Sequence, residues 1–221
     1  MRSISKIVVC LITVIFCSHA FAAEPSAPKD EIAAIESAYR SSADLTAKFV
    51  QTTEVALVGR TVTKRGIFQF KKGGKLRIEY EGKDGKRYVS DGNILWTYIP
   101  GDEASLQTFA VNDKNVPKEA LSFMSGFGKL THEFKVSGSS AFADAPAGST
   151  PLHLQPRSKN PTYESLEALF GPSHMLIELV VKNTSGNVSR YKFSDIKTNT
   201  GLADNIFTLS SGKATPDTLP E

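Results

Sequence analysis

The sequence predicts a mainly β protein, in which one strongly curved antiparallel sheet of ten or eleven strands wraps towards a barrel and helices plug its mouth. Residues 66–98 alternate apolar and polar side chains between turn signals, and similar alternation recurs before and after them. Only two segments have a helical pattern, which is too few to cover such a sheet as an α/β sandwich. The three hairpin signals of the central segment are Gly73-Gly74, Asp84-Gly85 and Asp91-Gly92.

The first 22 residues are expected to be a secretion signal that is removed. Arg2 and Lys6 precede an apolar run at residues 7–17, and a small-x-small cleavage sequence then ends at Ala22. The run is too short to cross a bilayer as a helix. We expect cleavage after Ala22, with Ala23 as the alternative. A lipoprotein signal is disfavoured, because no small residue precedes either cysteine.

Residues 23–221 are expected to form one domain. Both cysteines, Cys10 and Cys17, lie in the removed segment, so the mature chain has neither a disulfide nor a thiolate. Loss of Arg2 and Lys6 lowers the formal charge from +3 to +1, and this near balance argues against nucleic acid as a partner. The signal and the lack of a later membrane segment predict a soluble periplasmic protein.

A helix is predicted at Pro28–Arg40, ahead of the first strand. Proline is accepted in a first helical turn, and the two acidic residues that follow complement the positive end of the helix dipole. Ile32, Ile35 and Tyr39 have the spacing of one helix face. This face is therefore expected to pack on the sheet.

The remaining elements follow from alternation between turn residues. A short second helix is predicted near Pro117, and residues 138–150 are a surface loop because they are rich in small residues and proline. The predicted strands are Asp44–Val58, Thr61–Lys71, Lys75–Glu81, Arg87–Ser90, Ile94–Ile99, Ser105–Val111, Leu152–Gln155, Glu164–Phe170, Met175–Lys182, Ser189–Ile196 and Ile206–Leu209, and residues 131–137 are a candidate for a further strand.

Nothing in the sequence supports catalysis. The mature histidines, His132, His153 and His174, are isolated from one another, which disfavours a metal site. Residues 194–197 match S-x-x-K, but they lie on a predicted strand without the companion motifs. No G-x-S-x-G is present, and no acidic pair stands out. We therefore expect a protein that is not an enzyme and that uses no metal or cofactor.

Large apolar side chains are concentrated on one predicted face of the central strands, among them Phe68, Leu76 and Ile78. Such a stripe commonly fills the core of a β protein. A curved sheet of this size can also enclose more space than its side chains fill, and part of the face would then line a cavity for an apolar ligand. The pattern alone leaves both interpretations open.

Two motifs of the central segment, with their flanks, are similar to those of a known family. Residues 66–80 read G-x-F-x-F-K-K-G-G-K-L-R-I-E-Y, and residues 89–98 read V-S-D-G-x-x-L-W-x-Y. Residues 45–51 carry L-x-A-x-F-x-Q, and residues 186–207 carry a matching C-terminal pattern. Over most of the mature chain, these features resemble the LolA family of outer-membrane lipoprotein carrier proteins.

The resemblance implies an incomplete barrel of about eleven strands with a helical lid. It implies a periplasmic carrier that shields the acyl chains of lipoproteins in an apolar cavity. The implied partners are acylated lipoproteins as cargo, the lipoprotein-releasing ABC transporter of the inner membrane and a lipoprotein receptor of the outer membrane. The carrier itself is expected to be a monomer.

The resemblance also implies site residues. Lys72-Gly73 stands where the family usually has Arg-Pro, and in the family that arginine helps hold the lid closed; we assign Lys72 as the lid latch. The alternative is that Lys71, Lys72 and Lys75 form a solvated basic turn. The residues expected to line the cavity are Phe68, Phe70, Leu76, Ile78, Tyr80 and Trp96 of the sheet, with Ile35 and Tyr39 of the lid helix.

Two other functions remain open at this point. The first is a carrier of another lipid or glycolipid, and the second is an envelope interaction module whose β core is filled. An extracytoplasmic hydrolase ranks last, for want of a nucleophile or metal constellation.

Overall fold

A computed structural model describes residues 28–111, 129–157 and 163–209. Eleven antiparallel strands form one sheet, accompanied by short helices, which confirms the predicted fold class. The elements are α1 (Lys29–Ser41), β1 (Asp44–Val55), β2 (Arg60–Lys71), β3 (Lys75–Tyr80), β4 (Arg87–Asp91), β5 (Ile94–Ile99), β6 (Asp102–Ala110), α2 (Leu130–Glu133), β7 (Phe134–Gly138), β8 (Thr150–Pro156), β9 (Tyr163–Phe170), β10 (Leu176–Asn183), β11 (Val188–Thr198) and a 3-10 helix (Asp204–Phe207).

The sheet is open because its two outermost strands do not pair with each other. The strand order is β6-β5-β4-β3-β2-β1-β11-β10-β9-β8-β7. The pairing of β1 with β11 joins an N-terminal half to a C-terminal half, and every other pair is sequential. The sheet is therefore an unclosed barrel with β6 and β7 as its edges.

The strand register places one apolar face towards the interior. Phe68 pairs with Ile78, and Phe70 pairs with Leu76, across β2 and β3. Paired residues share a face of the sheet, so these four side chains lie together. The same face continues through Ala47, Phe49, Tyr88 and Leu95 to β9 and β10 as the main hydrophobic core. We call it the inner face.

Several predicted boundaries are corrected by the structure. β1 ends at Val55, and Leu57 and Val58 lie in the following turn with exposed fractions of 93% and 63%. The segment predicted as a strand at 131–137 begins as α2, and β7 starts only at Phe134. The helix predicted near Pro117 lies outside the described residues.

The predicted strand at Ile206–Leu209 is wrong: Ile206 and Phe207 are the last residues of the 3-10 helix, and Thr208 and Leu209 follow it outside any strand. This segment lies against the outer face of β3, where the guanidinium of Arg77 donates a hydrogen bond to the carbonyl of Ile206 over 2.8 Å. Arg77 pairs with Val89 on the face opposite to Leu76. Side-chain contacts, rather than strand pairing, hold this segment in place.

Candidate functional site

The inner face is lined by apolar side chains that neighbouring strands bring together. Leu76, Ile78 and Leu95 are fully buried on it, and Phe70 and Tyr80 are partly buried at its margins. Of the eight residues predicted for the cavity, five lie on this face of the sheet: Phe68, Phe70, Leu76, Ile78 and Tyr80.

Trp96 is not on the inner face, which corrects its predicted place beside Leu76 and Ile78. It pairs with Val89, and Val89 pairs with Arg77 on the outer face. Trp96 packs there in a small separate cluster with Val89 and Tyr98. Its neighbour Leu95 takes the inner position, because adjacent residues of a strand point to opposite faces.

Phe49, which the sequence analysis did not assign to the cavity, is at the centre of an aromatic cluster. Its ring meets Tyr80 edge to face at 5.2 Å between centroids, and Tyr191 and Phe193 follow at 6.1 and 6.5 Å. A Cβ atom on Gly66 would lie 2.7 Å from the Phe49 ring and 2.1 Å from the carbonyl oxygen of Glu79. Glycine at position 66 is therefore what allows Phe49 to lie across β2.

The helix α1 covers part of the inner face with Ile32 and Ile35, both of which are buried in the main core. Tyr39, the second predicted lid residue, meets Phe170 edge to face at 6.4 Å. Its hydroxyl accepts a hydrogen bond of 3.0 Å from the backbone N–H of Leu176. Ile35 and Tyr39 thus both contact the core that α1 covers.

Hydrogen bonds from α2 and β8 help to fix α1 to the rest of the molecule. The Glu36 carboxylate accepts hydrogen bonds of 2.9 Å from both the backbone N–H and the hydroxyl of Thr131, and Thr150 donates one to Glu31 at 3.3 Å. Burial raises the pKa of Glu36, but the bonds from Thr131 and Arg40 outweigh it and leave the pKa below its ordinary value. Glu36 is therefore ionised at neutral pH and holds α1 to α2.

A row of hydrogen-bonded polar side chains crosses the inner face, at the end of that face which is away from α1. Tyr80 donates to Gln51 over 2.7 Å, Gln51 donates to Thr53 over 3.0 Å, and the hydroxyls of Thr53 and Ser189 lie 2.9 Å apart. These bonds form a continuous polar row from β3 across β1 to β11 on the inner face.

The side chain of Lys72, the predicted lid latch, is exposed, and the described residues provide it with no hydrogen bond or ion pair. Its neighbours Lys71 and Lys75 bind Asp204 at 2.6 and 2.8 Å, and Lys71 also donates to the carbonyl of Leu202. Hydrogen bonds from the two lysines lower the pKa of Asp204 to about 2. The basic turn thus holds the C-terminal segment, and Lys71 and Lys75 are not simply solvated.

Tyr39→Phe is expected to loosen α1 while leaving the sheet intact. It removes the acceptor of the Leu176 N–H, so we expect a loss of about 1–2 kcal/mol in unfolding free energy. Hydrogen exchange of the Leu176 amide should accelerate, and an apolar fluorescent dye should enter faster. Ser37→Ala removes an exposed hydroxyl from the same helix and is the control. Unchanged exchange at Leu176 in the Tyr39 variant would contradict this role.

An unclosed antiparallel sheet, with one continuous apolar inner face and a helix packed on it, defines an open-barrel protein whose candidate site is its interior. Within this class, the chain belongs to the LolA family. The family model described as "Outer membrane lipoprotein carrier protein LolA" matches residues 40–210, which confirms the resemblance seen in the sequence.

Three solved structures to which this chain is similar are the following. A LolA superfamily protein of Nitrosomonas europaea is 14% identical over 83% of this chain and 98% of its own, with a TM-score of 0.47. A DUF1329 family protein of Desulfovibrio piger is 12% identical over 83% and 97%, with a TM-score of 0.47. Lipoprotein LppX of Mycobacterium tuberculosis is 12% identical over 79% and 96%, with a TM-score of 0.46. Likenesses this remote assign no function to the chain.

No curated protein matches this sequence. Across residues 28–111, 129–157 and 163–209, no helix has the length and apolar character that crossing a membrane requires.

Proposed function

We propose that the protein is a periplasmic carrier that takes acylated lipoproteins from the inner to the outer membrane by shielding their acyl chains on the inner face. The observation that carries this proposal is a continuous apolar face in an open sheet, covered in part by the helix α1. Burying one CH2 group is worth about 0.8 kcal/mol, so a sixteen-carbon chain is worth roughly 12 kcal/mol. Acyl chains therefore need such a shield to cross water.

The contacts of α1 suit reversible opening. Hydrogen bonds from Thr131 to Glu36 and from Leu176 to Tyr39 each contribute about 1 kcal/mol, or more where a carboxylate accepts. Acyl burial can outweigh such a sum, and the closed form returns when the cargo leaves. No covalent bond changes in this cycle, so the protein acts as a carrier and not as an enzyme.

The remaining parts of the proposal concern place and partners. Export and removal of residues 1–22 would deliver the domain to the periplasm as a monomer. There it would receive lipoproteins from the releasing ABC transporter and pass them to the outer-membrane receptor. Family membership supports these assignments.

The test is release of lipoproteins from spheroplasts. Purified mature protein is added, and the supernatant is examined for a soluble complex with triacylated cargo. We expect release by the wild type. No release by a folded protein would contradict the carrier proposal, and mass spectrometry of co-purified lipid would then identify what the interior holds.

Substitution of one aromatic residue on each face of the sheet tests which face binds the cargo. Phe70 and Trp96 are both partly buried, but only Phe70 faces the interior. Phe70→Ser is expected to weaken cargo binding about tenfold, because it removes most of one aromatic contact with an acyl chain. Trp96→Ser, the matched control, should retain release. Equal losses in the two variants, at equal stability, would exclude the inner face as the site.

A further inference from the structure

A basic pocket lies at the edge of the inner face where β2 meets the turn between β3 and β4. Its volume is about 590 Å³, and residues 63–65 and 80–86 form it. Four basic side chains line it against two carboxylates, which leaves a formal charge of +2. These charged residues are Lys64, Arg65, Lys83, Lys86, Glu81 and Asp84.

The positive charge of this pocket is not neutralised by direct ion pairs within the part of the chain that the structure describes. Within the described ranges, none of the four basic side chains forms a salt bridge. A concave surface lined by one sign of charge concentrates its field and attracts ions of the opposite sign. The pocket therefore favours anions.

Two of the four basic residues stand over aromatic rings of the inner face. Lys64 pairs with Gln51, which places it on that face, and its ammonium lies 5.5 Å from the centre of the Tyr80 ring. The ammonium of Lys86 lies 5.2 Å from the centre of the Tyr88 ring. Such cation–π contacts hold the charges at the end of the apolar surface.

The aromatic rings connect this pocket to the interior. Tyr88 meets Tyr80 at 6.3 Å between centroids, and Tyr80 meets Phe49 at 5.2 Å. A Cβ atom on Gly85 would lie 2.0 Å from the carbonyl oxygen of Tyr80, so the turn that forms one wall is packed closely on β3. An amphiphile with its chains beside Phe49 would bring its polar end to Lys64 and Lys86.

We propose that this basic pocket binds the anionic headgroup of a lipid whose acyl chains occupy the interior. The inference rests on the proposed function in one respect, which is that the interior accepts acyl chains. It adds a substrate class, since a headgroup of net negative charge is selected over a neutral or zwitterionic one.

The test compares two short-chain lipids below their micelle concentrations by titration calorimetry. Dioctanoyl phosphatidylglycerol is anionic, and dioctanoyl phosphatidylcholine has the same chains with a zwitterionic head. We expect the folded wild type to bind the anionic lipid about tenfold more tightly, with the preference shrinking at high salt. The double variant Lys64→Gln/Lys86→Gln should lose this preference and bind the zwitterionic lipid as before.

The control double variant is Lys29→Gln/Lys135→Gln, which removes the same charge from exposed positions outside the pocket. It should keep the preference. Equal wild-type affinity for both lipids would overturn the headgroup site and leave acyl-chain binding standing. Binding of neither lipid would overturn the proposed function together with this inference. Inorganic phosphate that binds as tightly as the anionic lipid, with the same lysine dependence, would overturn the lipid headgroup as the ligand.

Discussion

Phe49→Ala is expected to lower the free energy of unfolding by about 3–5 kcal/mol, the range for truncating a buried aromatic side chain. Phe49 is 2% exposed and contacts Tyr80, Tyr191 and Phe193, so its ring joins β1 to β3 and to β11. Gly66 offers no side chain to fill the space that the ring would leave. The neighbourhood therefore cannot collapse around alanine, which puts the loss in the upper part of the range.

Urea denaturation followed by circular dichroism measures this loss. Val50→Ala is the matched control, because Val50 is the next residue of β1, lies on the opposite face and is only partly buried. Its expected cost is about 1 kcal/mol or less. Similar costs for the two variants would mean that the aromatic cluster does not join the two halves of the sheet.

The fold was predictable because local signals agree along the chain. Glycine-containing turns at residues 73–74 and 91–92 fix the short hairpins, and alternation between them identifies β3, β4 and β5. Strand ends were harder to predict, because the alternating pattern of a strand can continue into the turn that follows it. Leu57 continues the alternation of β1, yet the turn that begins after Val55 leaves it exposed.

Within a single strand, alternation predicted which residues share a face. It did not predict how neighbouring strands pair, which decides the face that points to the interior. Leu76 and Ile78 follow from the alternation within β3, and Phe68 follows from that within β2. Trp96 was misplaced because either set of alternating side chains in β5 could face the interior. Trp96 and Tyr98 are larger, but Leu95 and Thr97 are the buried inner pair. Only the pairing of Trp96 with Val89 decides which side chains of β5 face the interior.

Contacts between distant parts of the chain could not be predicted. No sequence signal places Asp204 beside Lys71 and Lys75, more than a hundred residues away. Lys72 as the lid latch stays a prediction from a motif position, and no motif predicted that Lys71 and Lys75 hold the C-terminal segment. Asp44, another residue with such contacts, looked like an ordinary strand start.

Asp44→Asn is expected to cost about 2–4 kcal/mol of stability. The Asp44 carboxylate is 2% exposed and accepts four hydrogen bonds. Thr200 donates through its backbone N–H at 2.7 Å and its hydroxyl at 2.9 Å, and the N–H groups of Gly201 and Leu202 donate at 2.8 and 3.0 Å. An amide has one acceptor oxygen, and its NH2 group would face donors. The variant should therefore release the C-terminal segment from β1.

The cost of this substitution should depend on pH. Burial raises the pKa of Asp44, but the hydrogen bonds from Thr200, Leu202 and Gly201 outweigh it and leave the pKa below its ordinary value. A carboxyl whose pKa is lower in the folded state stabilises fully above its unfolded value of about 3.9 and loses that contribution as pH falls through the folded value. The difference between wild type and variant should be constant near neutral pH and shrink below about pH 4.

Chemical denaturation of wild type and Asp44→Asn from pH 7 to pH 2 measures this difference, and comparison at each pH cancels the other carboxylates. Asp195→Asn is the control, because Asp195 forms an exposed ion pair with Lys48 at 2.8 Å and asparagine tolerates its left-handed backbone. Its effect should be much smaller, since solvent screens an exposed pair. If Asp44→Asn costs no more than this control, the C-terminal segment is held by Lys71, Lys75 and Arg77 without Asp44.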